Sequence, residues 1–373
     1  MPIPCLPLDL VFEIISHLEE EEDDKIADQI QDGKTISLVC RAWRSLGQGL
    51  LWRTVIIEAS TLPSLSDHFD QFPHLAKLVR SFKHNFKSSR DTDPVHLARI
   101  RRFLSTLINL HELSLEGKFE EDLVPILKVA SSLESLRTMH IMELGSFEYC
   151  NEFSRSLRNG FNKLSYLDFM AYGPKCSSSL QHHDVGETIS SKLSVSRALL
   201  GWFEEPLHAS EFASDFLSIF DPAVLIRVGL NGGALRTTSI QWLSNCPNLT
   251  QLSLVLNGFF ELSEYLPLLP HFPSLQDCHV QLTMVDETEL SSFPLSSLLS
   301  SLPPSIQIFS ATQLIFSDFS HIPVRQVGTD LNLERRKYIW ARRSSSETEE
   351  GSTEMTLWGE EEEGKLSWFR QAD

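Results

Sequence analysis

The sequence predicts an α/β protein in three parts: a short helical module, an irregular solenoid of strand–helix repeats, and a disordered acidic tail. Three observations predict this division. Residues 1–58 hold two dense apolar blocks, residues 59–325 are rich in leucine at a recurring spacing, and residues 326–373 are polar and acidic. A chain of 373 residues is long enough to bury a sizeable core.

The N-terminal module, residues 1–58, has the apolar spacing of helices. In its first block Leu10, Ile14 and Leu18 recur every four residues, and Pro7 suits the first turn of a helix. The second block has the same three-and-four spacing, at Ile36, Val39, Cys40, Trp43 and Leu46. Both blocks therefore predict helices with a wide apolar face.

The other residues of this module predict a charged loop and the end of the second helix. Residues 19–34 are charged and predict a solvated acidic loop between the helices. Gly47 and Gly49 predict the end of the second helix, followed by a short apolar element at 50–52 and a β-branched first strand at 55–57. So short a module cannot bury enough surface to be stable alone. We expect one face to pack on the rest of the chain and another to be covered by a partner protein.

The middle of the chain carries an internal repeat, whose unit is Leu-x-x-Leu-x-Leu, one short strand with alternate side chains pointing inward. Its middle positions lie 26, 28, 61, 24 and 26 residues apart, and leucine-rich repeats have a period of about 20–29 residues. The six matches are Leu110-Leu113-Leu115, Leu136-Met139-Ile141, Leu164-Leu167-Phe169, Leu225-Val228-Leu230, Leu249-Leu252-Leu254 and Leu275-Cys278-Val280.

Helical patterns, such as that at residues 123–130, lie between these strands, so the repeats predict a curved solenoid with the strands on its concave side. We interpret residues 172–220, which span the 61-residue step, as an insertion. Weaker matches at Phe82 and Phe309 predict further strands. Turn residues punctuate the entries to the strands, at Asn109, Pro247, Asn248 and Pro273.

Composition excludes several functional classes. The 32 lysine and arginine residues stand against 50 acidic residues, which gives a formal net charge of −18. Such a chain repels phosphate backbones, so we expect no binding to nucleic acid. No apolar stretch is long enough for a membrane span, and Asp9 and Glu13 interrupt the only run that resembles a signal peptide.

The cysteines and the missing motifs bear on compartment and chemistry. Six cysteines without metal-type or paired spacing predict free thiols in a reducing compartment, and hence a cytoplasmic or nuclear location. We find no phosphate-binding glycine loop, nucleophile elbow or metal-ligand cluster. The sequence therefore predicts a chain with no catalytic residue, no cofactor and no metal.

Residues 1–58 resemble the F-box family, and in particular the F-box proteins abundant in mushroom-forming fungi. The family pattern is Leu-Pro, an acidic residue two positions on, an apolar helix that ends in His/Tyr-Leu, a Val-Cys-Arg-x-Trp helix and a later Leu-Trp. The matching positions are Leu6, Pro7, Asp9, Ile14, Leu18, Val39, Cys40, Arg41, Trp43, Leu51 and Trp52. The acidic spacer is longer than the family's usual link between the helices.

The resemblance implies a role in protein assembly. F-box proteins bind the Skp linker protein, which joins them to a cullin scaffold with a RING subunit, while their C-terminal part captures a protein substrate. Leucine-rich repeats are a common C-terminal module of the family. By similarity, the residues that face the Skp linker are Leu6, Pro7, Leu10, Ile14, Leu18, Val39, Cys40 and Trp43. The same residues are also what a simple helical core requires.

The resemblance leads to a main hypothesis and an alternative. In the first, the chain is the substrate adaptor of a Skp–cullin–F-box (SCF) ubiquitin ligase and acts by holding a substrate near activated ubiquitin. In the alternative, it is a repeat scaffold that binds the Skp linker without delivering substrates. We expect the substrate, which the sequence does not identify, to bind the concave face of the repeats or residues 172–220.

Overall fold

The computed structural model is an α/β protein of parallel strands and helices, which confirms the predicted fold class. The chain divides into two compact units, Met1–His140 and Ile141–Asp373. The residues that the structure describes are 34–36, 38, 41–58, 61–85, 94–119, 123–149, 151–176, 192–202, 216–232, 234–257, 264–283, 302, 305–306, 308–312, 324–325, 338–343 and 355–358.

The first unit alternates helices with parallel strands. Its elements are α1 Arg41–Arg53, β1 Thr54–Glu58, α2 Leu62–Gln71, α3 Pro73–Ala76, β2 Ser81–Asn85, α4 Pro94–Thr106, β3 Glu112–Gly117 and α5 Leu123–Ala130. Strand β2 pairs in parallel with β1 on one side and with β3 on the other. Strand β4, Thr138–Tyr149, begins in this unit and continues into the second.

The second unit continues the alternation. Its further elements are α6 Asn151–Gly160, β5 Tyr166–Cys176, β6 Arg197–Trp202, β7 Arg227–Gly232, α7 Thr237–Leu243, β8 Gln251–Asn257, a 3₁₀ helix Leu266–His271, β9 Asp277–Thr283, β10 Ile308–Thr312, β11 Val324–Arg325, β12 Tyr338–Arg343 and β13 Met355–Trp358. Strands β5 to β10 pair in parallel in sequence order.

The repeat positions align from strand to strand. In the first unit the middle residues of successive strands, Val55, Phe82 and Leu113, are register partners. In the second unit the register partners are Leu167, Ala198, Val228, Leu252, Cys278 and Phe309. All of these but Phe309, whose side chain lies outside the described set, are buried. We call their side of the strands the inner face, and the side that carries the alternate residues the open face.

Phenylalanine fills the space between strands and helices. In the first unit the Phe103 ring of α4 lies 5.4 Å from Phe69 and 5.3 Å from Phe82, between centroids. In the second unit the rings of Phe169 and Phe216 stack at 5.2 Å. These contacts bury the apolar face of each helix against the inner face of the strands, which is the main source of stability for such repeats.

Asparagine ties neighbouring repeats together at the turns before the strands. The Asn109 side-chain amide donates a hydrogen bond to the Lys77 carbonyl oxygen at 2.8 Å, and Asn248 donates to the Ala223 carbonyl oxygen at 2.7 Å. Each carbonyl lies in the turn of the previous repeat. The asparagine amide gives this carbonyl a hydrogen bond that no helix or strand provides. The punctuation predicted at Asn109 and Asn248 therefore has a structural basis.

The prediction that Gly47 and Gly49 end a helix is wrong. Helix α1 runs without a break from Arg41 to Arg53, through both glycines. Glycine lowers helix stability by about 1 kcal/mol relative to alanine. Here the burial of Gly47 and Leu50 keeps the last turns helical, because tertiary packing outweighs a local preference of this size.

Residues 172–220 are not wholly an insertion, since strand β6 lies within them. Its unit is Val195-x-x-Ala198-x-Leu200, with all three side chains buried. The search for leucine missed it because alanine and valine take the first two positions. Ala198 divides the 61-residue step into steps of 31 and 30 residues.

The prediction of a disordered tail over residues 326–373 is wrong in part. Strand β12 pairs antiparallel with β10, and β13 pairs antiparallel with β12. Both strands contain aromatic and aliphatic residues that favour extended backbone, in Tyr-Ile-Trp and Met-Thr-Leu-Trp. Pairing gives partners to the otherwise unpaired edge of β10, an advantage that the polar composition of the tail does not reveal.

Candidate functional site

Most of the residues assigned by resemblance to the Skp-linker site lie outside the described part of the chain. These are Leu6, Pro7, Leu10, Ile14, Leu18, Val39 and Cys40. Trp43 lies in helix α1, and at this position of the helix only the backbone is described. The predicted site therefore stays a prediction. The acidic loop predicted at residues 19–34 lies outside the described residues as well, except for its last residue, Lys34.

One described residue of the second apolar block is exposed. Leu38, a helical residue beside the predicted site residue Val39, leaves 83% of its surface exposed. A leucine that is largely exposed gains nothing from folding of the chain itself.

The Leu51-Trp52 end of the N-terminal module packs on the first strand–helix repeat. The Trp52 ring stacks on His68 of α2 with centroids 5.6 Å apart, and its edge meets Phe69 of α2 at 5.4 Å. Phe69 is itself buried against Phe103 of α4. Helix α1 is thus anchored through aromatic contacts to the core of the first unit.

The second candidate surface is the open face of the second unit. One row of side chains crosses five neighbouring strands at the same register. The members of the row are Tyr166, Arg197, Arg227, Gln251 and Asp277. All five are half-buried. Two arginines are thus direct neighbours, on β6 and β7, in the middle of the row.

One end of this row is held by hydrogen bonding. The Gln251 side-chain amide donates to a carboxylate oxygen of Asp277 at 2.7 Å. Burial raises the pKa of Asp277, while the bond from Gln251 and the positive charge of Arg227 act in the opposite direction. Arg227 therefore interacts electrostatically with Asp277, and the network runs from β7 to β9.

Small residues lie beside the arginines on the same face. Gly229 and Ser253 are register partners and are both buried. A Cβ atom added to Gly201 of β6 would lie 2.6 Å from the Met170 sulfur, so the Met170 side chain occupies the space over that glycine. The last residue of β7, Gly232, occupies an inner-face position and has a φ of 55°, which glycine adopts at low cost.

The open face of the first unit is arranged differently. The Glu112 carboxylate lies 3.6 Å from the Lys83 ammonium nitrogen and 3.9 Å from the His140 ring nitrogen Nε2. Lys83, Glu112 and His140 come from three successive strands, and all three are half-buried. Each basic group here thus faces an acidic one.

A buried pair of imidazoles escaped the sequence analysis. His84 occupies an inner-face position of β2, with 2% of its surface exposed. Its Nδ1 lies 3.1 Å from the Ile57 carbonyl oxygen, and its Nε2 lies 3.2 Å from Nε2 of His96. Because a carbonyl can only accept, His84 Nδ1 donates and its Nε2 accepts from His96. Burial lowers the pKa of His84 to about 4. His84 occupies the last position of the repeat unit in β2, where the pattern predicts leucine.

Other chemistry is limited in the described residues. Cys246 and Cys278 are free and buried, and burial raises the pKa of both thiols to about 12, so they are protonated at neutral pH. Burial lowers the pKa of His279 to about 4. Over the described ranges, no three His, Cys, Asp or Glu residues come together as metal ligands. Among the helices described, none has the length and apolar character needed to cross a membrane.

Comparisons with known proteins add no relatives. No protein-family model matches the sequence, and no curated protein is significantly similar to it.

Proposed function

We propose that the chain is a substrate-recognition adaptor of a Skp–cullin–F-box ubiquitin ligase. In this proposal the F-box-like N-terminal segment binds the Skp linker, and the repeats form a leucine-rich-repeat solenoid that binds a protein substrate. The chain supplies no catalytic residue. It raises the local concentration of substrate lysines near activated ubiquitin.

The observation that carries the proposal is the packing of Trp52 on α2. An adaptor must hold its linker-binding segment and its substrate-binding surface in a fixed relation, because a loose joint lowers the effective concentration that it provides. The ring contacts of Trp52 with His68 and Phe69 anchor the end of the F-box-like segment to the repeat core. The exposed Leu38 supports a partner on the same segment.

The aligned repeats support the other half of the proposal. Where side-chain burial is described, the inner faces of the strands are buried, whereas the open faces carry charged and polar residues at equivalent positions. A rigid set of parallel strands with a polar face is a common platform for binding proteins.

The test is retention of the full-length chain by purified Skp linker protein. We expect micromolar or tighter binding, and a loss of about 100-fold or more in the double variant Leu6→Ala/Trp43→Ala, since buried anchors contribute ~2 kcal/mol or more each. Ile108→Ala is the matched control, because Ile108 is an exposed apolar residue outside the segment. Circular dichroism must show that the double variant remains folded.

Two outcomes would contradict the proposal. If the folded wild-type chain is not retained at micromolar linker concentration, the chain is not an F-box adaptor. If it binds the linker and cullin but promotes no ubiquitination of any co-purifying protein, the scaffold hypothesis replaces the adaptor hypothesis.

A further inference from the structure

We infer that the turn between α4 and β3, residues 107–111, binds a protein segment through a negatively charged oxygen group, which Arg80 and His111 hold. A carboxylate or a phosphate ester on the segment would supply this group. The inference goes beyond the proposed function and does not depend on it, because these residues lie outside the N-terminal module.

The side chains of Arg80 and His111 meet at one oxygen atom. The carbonyl oxygen of Asn109 accepts a hydrogen bond from Arg80 Nη1 at 3.1 Å and lies 2.7 Å from His111 Nδ1. Because a carbonyl can only accept, His111 Nδ1 donates. The amide of Asn109 in turn donates to the Lys77 carbonyl oxygen at 2.8 Å. The guanidinium and the imidazole are thus held side by side on a turn that is itself tied to the previous repeat.

The partner that these two side chains share is neutral. Arg80 and His111 are both exposed, and neither forms an ion pair with another residue in the described part of the chain. A guanidinium carries five N–H donors, and the Asn109 carbonyl oxygen accepts from Nη1 alone. Donors therefore remain on Arg80 for an anion, whose charge-assisted hydrogen bonds are stronger than those of a neutral group.

The equivalent turn of the second unit shows that the fold does not need these cations. The backbone N–H of His111 donates to the Arg80 carbonyl at 2.7 Å, and the N–H of Thr250 donates to the Ile226 carbonyl at 2.9 Å. Each turn also contains an asparagine whose amide bonds the preceding turn. Neutral side chains thus occupy the places of Arg80 and His111 in the second unit. The two basic side chains of the first unit therefore need a reason other than the backbone arrangement of the turn.

The surrounding part of the chain is positively charged. Residues 34–140 contain 15 lysine and arginine residues and 11 acidic residues, a net charge of +4, although the formal net charge of the whole chain is −18. Lys77, in the turn before β2, adds an exposed cation near the pair. An anionic group is therefore attracted to this region more than to the rest of the protein.

An exposed apolar side chain belongs to the same turn. Ile108 directly precedes Asn109, and 52% of its surface is exposed. A partner that covers this side chain gains from the removal of apolar surface from water. The turn therefore fits a segment that presents an apolar residue close to its anionic one.

The experiment uses the immobilised full-length chain and three random libraries of 11-residue peptides, whose central residue is Glu, phosphoserine or Gln. We expect at least one of the two charged libraries to be retained about fivefold above the Gln library, because two exposed charge contacts together contribute about that factor. The charged library that is retained better identifies the source of the oxygen group. The preference should shrink at high salt, since exposed charges are screened.

Three variants locate the site. Arg80→Gln should abolish the preference for charge, and His111→Thr, which introduces the residue found at the equivalent position of the second unit, should reduce it. Arg99→Gln is the matched control, because Arg99 is an exposed cation of α4 in the same unit and its loss changes the net charge equally. Thermal unfolding should show that all three variants remain folded.

The apolar part of the inference has its own variant. Peptides selected by the wild-type chain should be enriched in apolar residues beside the charged one. Ile108→Ser should lose this enrichment and keep the preference for charge. Equal enrichment in wild type and Ile108→Ser would overturn the assignment of Ile108.

Three results would overturn the anion site. These are equal retention of the charged and Gln libraries by the wild-type chain, an unchanged preference in Arg80→Gln, and an equal loss of preference in Arg99→Gln. The Arg80→Gln variant should bind the Skp linker like wild type, because the linker site is assigned to the N-terminal module. Preference for charge without linker binding supports the anion site and contradicts the adaptor function. Linker binding without preference for charge contradicts the anion site alone.

Discussion

The open faces of the two units differ in the arrangement of their charged residues, although the inner faces of both units consist mainly of buried apolar residues. In the first unit the Glu112 carboxylate lies near the Lys83 ammonium group and the His140 imidazole, so an acidic group has basic groups as its neighbours. In the second unit Arg197 and Arg227 are neighbours, so like charges meet in the centre of a row. The fold therefore does not require either arrangement.

The inner faces explain why both arrangements are tolerated. Leu113 in the first unit and Leu252 in the second are equivalent repeat positions, and both are fully buried. Burial of such residues supplies most of the stability, while exposed or half-buried charge pairs add little. What the comparison teaches is that the inner face determines the fold, and the open face is left to determine what binds.

The largest expected effect concerns the inner face. Leu113→Ala and Leu252→Ala should each lower the free energy of unfolding by about 2–5 kcal/mol, because each leaves a cavity in a packed interior. Chemical denaturation measures the loss. Ser114→Ala, on the open face of β3, is the control and should stay within about 0.5 kcal/mol of wild type. Equal effects at Leu113 and Ser114 would contradict the division into two faces.

The next effect is a dependence of stability on pH that arises at an inner-face position. Burial lowers the pKa of His84 from 6.5 to about 4 in the folded state. Between these values the unfolded chain binds a proton that the folded chain does not. The stability that the protein gains from keeping His84 neutral is therefore fully present above pH 6.5. It is lost as the pH falls to 4, which lowers the free energy of unfolding by up to about 3 kcal/mol.

Denaturation curves between pH 4 and 7 test this prediction. His84→Leu should show a shallower fall in stability towards low pH, whatever its absolute stability. Ser114→Ala, an open-face substitution in β3 that removes no titratable group, is the comparison variant and should keep the pH slope of the wild type. An unchanged pH slope in His84→Leu would show that His84 is not responsible.

A smaller effect is expected at the turns of both units. Asn109→Ala and Asn248→Ala should each lower the free energy of unfolding by about 0.5–1.5 kcal/mol, because each removes the donor to a backbone carbonyl. Thermal unfolding measures both losses. Asn245→Ala, whose amide bonds only within its own helical turn to Gln241, should have a smaller effect. The prediction fails if the two turn variants are no less stable than Asn245→Ala.

The smallest effect concerns the charges of the first unit. Glu112→Gln should lower the free energy of unfolding by less than about 1 kcal/mol, because its ion pair with Lys83 is partly solvated. The difference from wild type should shrink as salt is added. A loss above 2 kcal/mol, independent of salt, would show that the open face contributes to the fold after all.

The sequence by itself determined where the inner face lies. The spacing of Leu-x-x-Leu-x-Leu predicted six strands with the correct buried positions, because a half-buried strand has an apolar residue at every second position. The turn asparagines and the helix at residues 123–130 followed from equally local preferences. The α/β class was predictable for the same reason.

Only the tertiary structure decided the features that depend on distant neighbours. Helix α1 continues through two glycines because its last turns are packed, and β12 and β13 form because β10 offers an edge. His84 can take an apolar position because Ile57 and His96 satisfy its ring nitrogens. The meeting of Arg197 with Arg227, 30 residues apart in sequence, depends on strand register. Each of these features depends on a contact with residues distant in sequence, which a local sequence pattern does not identify.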